Sequence, residues 1–192
     1  MRLFGAGGFA DTSVRAIAAE AGVSPGLVLH HFGSKEGLKR ACDEYVAGEL
    51  IDTEVATSQQ DLIGAMRRWL AEPDAYLAEF DYLTRMLLEG SHAGDLLFDT
   101  LVDRTEKMLG EGIESGQMNH FSDLGTTALV VALCGLAPLV MGRQVSRALG
   151  EDGLNAKVLQ RLALPVMELF THGLYATPEL LEATRAAMEG EG

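Results

Sequence analysis

The sequence predicts an all-α protein, and three observations carry that prediction. Its 192 residues hold 29 Leu and 24 Ala against 12 Val and 4 Ile, a bias toward helix formers over β-branched residues. No stretch alternates apolar and polar residues between turn signals, as a half-buried strand would. Apolar residues recur instead at helical spacing, as in Tyr76, Phe80, Leu83 and Leu87, and again in Val158, Leu162, Val166 and Leu169. With 47% hydrophobic residues the chain can bury a core without metal or disulfide support. Two cysteines, Cys42 and Cys134, make no disulfide framework and fit a reducing cytoplasm. The start, MRLFGAGGF, has no sustained apolar segment of the secretory kind, so a cytoplasmic location is expected.

The elements follow from their punctuation. Residues 2–10 read as a short helix ended by Gly7-Gly8. Thr12 or Ser13 caps a second helix over 14–21, by accepting a backbone N–H. Gly22 suits the left-handed position after its end. Ser24 caps a third helix, and Pro25 occupies its first position, where a missing N–H costs nothing. Gly33-Ser34 breaks the chain again, and Ser34 caps a long fourth helix over 35–53. Further helices are expected near 58–71, 74–90, 94–115, 122–149, 155–176 and 178–189. Glu72-Pro73-Asp74, Gly90-Ser91, residues 116–122, residues 150–153 and Thr177-Pro178 separate them. Pro138 and Pro165 fall inside two of these spans and predict kinks or splits.

Residues 124–141, LGTTALVVALCGLAPLVM, carry no charge. Their length raises a membrane reading. Gly125, Gly135 and Pro138 interrupt the run, no Trp or Tyr marks either end, and Asp123 and Arg143 close it. The expectation is a helix buried on all sides, in a core or between subunits, with no membrane partner.

The most specific signal is TSVRAIAAEAGVSPGLVLHHFGSKEGL, over 12–38. Two short helices meet at the turn Ala21-Gly22-Val23-Ser24. Ile17 and Ala21 face inward, Ala18 is small where the second helix crosses, and Val23 and Val28 fill the angle. The pattern is a helix-turn-helix. Residues 3–46 closely resemble the N-terminal DNA-binding domain of the TetR family of bacterial transcriptional regulators. Ala18, Gly22, Val23, Phe32, Lys35 and Leu38 have the residue types of that family. The resemblance implies a three-helix DNA-binding domain over 1–46 and a helical ligand-binding and dimerisation domain over 47–192. It implies a homodimeric repressor of double-stranded DNA, released by a small-molecule effector. The sequence departs from the family in two places. Leu29 stands where an aromatic phosphate contact is common, and the family pattern usually has a further helical turn before Leu3.

Position assigns the expected DNA contacts. Pro25, Gly26 and Leu27 open the recognition helix, whose N-terminal residues approach base edges. None of the three makes a bidentate base contact, although Leu27 suits a thymine methyl. Leu29, His30 and His31 complete that helix's candidates. Thr12, Ser13 and Ser24 are expected to donate hydroxyl bonds to phosphates, with Arg15 and Lys35 supplying charge. His30-His31 is no metal site, because adjacent helical residues diverge and no Cys or acid completes a ligand set.

The remaining chain is less specific. Met66, Trp69, Leu70, Tyr76, Phe80, Tyr82, Met86, His92 and Phe98 are the candidate effector-pocket residues. Plain core is the competing reading for each. Ala128, Ala132, Gly135, Leu136, Leu139, Leu162, Val166 and Leu169 are the candidate dimer face, since the family's last two long helices often pair with a partner's. No nucleophile–base pair, metal-spaced cluster or phosphate loop appears, and no cofactor or enzymatic activity is expected. The alternative to a regulator is a helical small-molecule-binding protein without DNA.

The net charge of −13 argues at first against DNA. It is unevenly spread. Residues 1–50 carry five basic and six acidic side chains, and within 12–40 basic residues outnumber acidic by four to two. The acidity belongs to the rest of the chain, which helps orient the near-neutral end toward DNA.

Overall fold

The computed structural model describes residues 1–52, Gly64 and 77–189. Among them are ten helices and no strand. They are α1 (Arg2–Asp11), α2 (Val14–Glu20), α3 (Pro25–Phe32), α4 (Lys35–Asp52) and α5 (Leu77–Leu88), followed by α6 (His92–Glu114), α7 (Leu124–Val140), α8 (Gly142–Ala148), α9 (Ala156–His172) and α10 (Glu179–Glu189). The helix expected near 58–71 lies outside the described residues.

Caps set most of the boundaries. Ser13, Ser24, Ser34 and Ser91 each accept a backbone N–H three residues on, at 3.0–3.1 Å. Asp123 does the same for Thr126 at 2.9 Å, and Asn155 accepts from both Lys157 and Val158. Each satisfies a donor that the first turn leaves without a helical partner.

Several boundaries bear on the expected kinks and breaks. The first run of helix breaks at Gly8, as expected. Gly8 leaves helical geometry at φ 77° and ψ 166°, and the chain resumes turning to Asp11. The helix expected over 122–149 breaks at Met141, and α7 and α8 meet at 73°. Pro138 lies within α7, three residues before that break. At the break, the buried Gly142 packs beside Leu154. Pro165 does not split α9, which ends instead at Gly173, with φ 76°. No single helix among the described residues is long and apolar enough to cross a membrane.

One core joins the two ends of the motif to the body. Phe4, Ala18, Val28, Leu38, Cys42 and Val46 from α1–α4 pack in the same cluster as Tyr82, Leu83, Met86 and Leu97 from α5 and α6. Each large apolar side chain buried there contributes about 1.5–3 kcal/mol. The expected boundary at 46/47 falls inside α4, which runs through it unbroken. Gly5 explains how closely α1 and α5 approach. A Cβ there would lie 3.0 Å from the Tyr82 nitrogen and 3.1 Å from Asp81 carbons.

The far end of the molecule is different. Antiparallel α6 and α7 pair along their lengths, with Gly110 beside Leu124 and Phe98 near Leu136. Within this chain the uncharged α7 is only partly buried, so it is not a helix enclosed by its own core. Ala128 and Ala132 are buried, while Val130 and Leu133 are about half exposed, at 53% and 48%. Val158 and Leu159 anchor the start of α9, and the Arg161 guanidinium donates to the Leu149 carbonyl at 2.6 Å. From Leu164 to Glu189 every residue is exposed.

Candidate nucleic-acid interface

Local chemistry builds the reading surface. Gly22 turns the chain with φ 68°, in the left-handed region that glycine enters without a Cβ penalty. The Val23 N–H then donates to the Ala18 carbonyl at 2.9 Å and closes the turn. Ala18 is fully buried, so α2 and α3 cross closely. Val28 turns inward between them.

The opposite side of α3 is open. Pro25, Gly26, Leu27, Leu29, His30 and His31 are all exposed, Leu27 by 52%. His31 packs edge-on against Phe32, with ring centroids 4.7 Å apart. Exposed Arg15 lies on neighbouring α2. Ser13 and Ser24 are exposed too. Their oxygens accept cap bonds from Ala16 and Leu27, which leaves each hydroxyl proton able to donate to a phosphate. Helix N-termini behind both serines favour an anion there.

Two candidates turn inward. Thr12 is not a phosphate contact. It is buried, and its hydroxyl donates within the head, lying 2.7 Å from the Gly8 carbonyl and 3.0 Å from that of Leu3. The Gly8 bond is the i to i−4 contact that a threonine hydroxyl commonly makes. Lys35 is half-buried, its ammonium donating to the Ala10 carbonyl at 3.2 Å and sitting 4.3 Å from the Phe9 ring centroid. It ties α4 to α1, as a cation over an aromatic face does, and only its remaining protons face outward.

A polar junction that the sequence reading missed links head and body. The Asp43 carboxylate on α4 accepts the Tyr82 hydroxyl of α5 at 2.6 Å and the Lys39 ammonium at 3.0 Å. Burial pushes the Tyr82 phenol well up, and its bond to Asp43 pushes it further. Arg2 and Glu20 pair at 2.8 Å between α1 and α2, on the surface. The available signal was the i, i+4 spacing of Lys39 and Asp43. The distant tyrosine carried none.

Among the described residues, the expected effector-pocket candidates do not line one common cavity. Tyr82 and Met86 are buried in the shared core, which corrects their assignment to a ligand pocket. Phe80 is half-buried on α5. His92 is exposed at the first position of α6, outside the cleft described next. Met66, Trp69, Leu70 and Tyr76 lie outside the described residues. Phe98 lines a cleft of about 400 Å³ with the described residues Leu87, Gly94, Asp95, Asp99, Leu136 and Val140.

The candidate dimer residues also divide. Ala128 and Ala132 are buried inside this chain, on the side of α7 that faces α6, and are closed to a partner. Leu136 lines the cleft, and Leu139 packs on the shared core. These four are intrachain contacts, because the apolar stripe at i, i+4, i+8 and i+11 is the one α7 turns inward. Leu162 is half-buried. Gly135, Val166 and Leu169 are exposed. The outward stripe on α7 is a different one, formed by Val130, Leu133 and Cys134, with Met141 at its end.

The head's geometry is matched by comparison with known proteins. Residues 1–42 match the bacterial regulatory proteins of the tetR family, and residues 74–176 match the tetracyclin repressor-like C-terminal domain. The HTH-type transcriptional regulatory protein RaaS of Mycobacterium tuberculosis is 33% identical, over 98% of this chain and 89% of its own. The chain belongs to the TetR family. As a TetR-family member it is a DNA-binding transcriptional regulator and not an enzyme. The uncharacterized HTH-type regulator YerO of Bacillus subtilis shares 39% identity over 64 residues, covering 33% of this chain and 22% of YerO. A solved Clostridium perfringens protein, described as a candidate fatty acid metabolism regulator, has the same fold. Its TM-score is 0.62 at 18% identity, over 91% of this chain and 95% of that one. Helix α10 begins beyond the matched C-terminal domain.

Proposed function

We propose that this TetR-family chain is a cytoplasmic homodimeric repressor of an inverted-repeat operator, released by a small-molecule effector. Residues 1–46 act as the reading head and 47–192 as the regulatory body. The observation that carries the dimer is the bare apolar surface at the far end. Val130 and Leu133 on α7, Met141 at its end, and Val166, Met167, Leu169 and Phe170 on α9 are all more than a third exposed. An apolar surface of this extent marks a protein contact. A two-fold axis there sets two copies of α3 into major grooves about 34–36 Å apart, or a multiple of that spacing.

On DNA, Ser13, Arg15 and Ser24 position the head through phosphates, and Leu27, His30 and His31 meet base edges. Effector release needs a state of the body that holds the two heads at another spacing, and a ligand that binds that state better. Movement of α5 reaches the head through the Gly5 contact and the Tyr82–Asp43 bond. Mobility shift with DNA upstream of the protein's own gene, alongside sedimentation, tests the proposal. A retarded complex with two copies per site is expected. A monomer at micromolar concentration, or no retardation with any promoter fragment at low salt, overturns it.

A further inference from the structure

The cleft between α5, α6 and α7 has a distinct chemistry. Its walls are apolar, from Leu87, Phe98, Leu136 and Val140. The ionisable residues among its described lining are Asp95 and Asp99, one helical turn apart on α6, both exposed at the rim. No Lys, Arg or His stands among that lining. The volume, about 400 Å³, is that of a small-molecule site.

We infer that this cleft takes an organic cation with an apolar body, and that such a cation is the effector class. The inference rests on the reading that the helical body binds an effector. Apolar walls recover the hydrophobic free energy of the body. Two carboxylates one turn apart attract a positive centre and repel an anion of the same shape. A bare metal ion gains nothing from the four apolar walls. Among the described residues no group of three or more His, Cys, Asp and Glu gathers to hold one.

The cleft is also placed to act. Gly94 packs α6 directly on the backbone of α5, so that a Cβ on it would fall on the Met86 carbonyl. Leu87 and Leu136 pack on the core that carries Tyr82 and the head. An occupant that parts α5 from α6 therefore loads the element bonded to Asp43.

Tetraphenylphosphonium and tetraphenylborate provide the test, since they share a shape and differ in the sign of charge. Calorimetry on the full-length protein is expected to show the phosphonium binding at least about tenfold more tightly. Asp95→Asn with Asp99→Asn removes that preference, while Asp103→Asn, one turn beyond the lining, leaves it. Equal affinities, a preference for the borate, no binding of either ion, or an unaffected double variant overturns the inference. Mobility shift without added ion reads the repressor separately. A normal shift without phosphonium preference sinks the cleft inference alone, and a lost shift with the preference intact sinks the repressor alone. Aspartate-dependent binding that leaves DNA bound supports the cleft as a cation site and overturns the cation as effector.

Discussion

The reading head and the far end of the body are both helical and both apolar, yet they finish their packing differently. In α1–α4 the apolar residues Phe4, Ala18, Val28, Leu38 and Val46 are buried, and α5 and α6 close the cluster from the other side. Among the exposed apolar residues of the head are Leu27 and Leu29, on the helix that meets DNA. In α7 and α9 one stripe is buried and another is left bare, and α10 buries nothing. The head is complete within one chain. The far end leaves an apolar face open within one chain.

The contrast is breakable. The largest effect is expected from charges on the bare stripes. Leu133→Asp with Phe170→Asp places carboxylates where a partner excludes water, a cost of several kcal/mol if unpaired. Sedimentation should find a monomer, operator affinity should fall about 100-fold or more, and the circular dichroism of the helices should persist. An unchanged dimer would move the interface elsewhere.

Next is Gly5→Val, which drives a side chain into the backbone of Tyr82 and Asp81. Overpacking of this kind costs about 1–3 kcal/mol, read as a lower thermal midpoint. Unchanged stability would mean that head and body do not meet through α1.

Thr12→Val comes third. It removes the hydroxyl that Gly8 and Leu3 use, at roughly 1 kcal/mol of stability, and should leave the operator affinity of the folded protein unaltered. A weaker operator complex from a fully folded variant would restore Thr12 to the phosphate contacts.

The smallest effect separates the two regions most sharply. Gly135→Ala meets no atom within 4 Å in this chain. In a monomer it stabilises α7 by about 0.5–1 kcal/mol through helix propensity alone. A loss of dimer stability there would place a partner's backbone against Gly135.

Much of the head was legible because its signals are local. Ser13, Ser24, Ser34, Gly22 and Pro25 act on neighbours within a few residues, and each sits where the sequence puts it. Thr12 was misjudged because its hydroxyl is turned inward, onto the Gly8 and Leu3 carbonyls, where the chain passes from α1 to α2. In the body, periodicity announced an amphipathic or uncharged helix but not its orientation. Ala128, Ala132, Leu136 and Leu139 share one stripe of α7, and nothing local says whether α6 or a partner will cover it. The same holds for Tyr82 and Met86, which spacing alone assigned to a pocket as readily as to a core.

The sequence by itself determined the all-α class, the helix-turn-helix and the order of the caps, because capping and helix periodicity are short-range and chemically explicit. Only the tertiary structure decided which faces are spent inside the chain, that Gly5 and Tyr82 weld the head to the body, and that Asp95 and Asp99 overlook an apolar cleft. Those outcomes depend on which helix lies against which, and burial is non-directional: an apolar stripe gains the same free energy from any surface that excludes water.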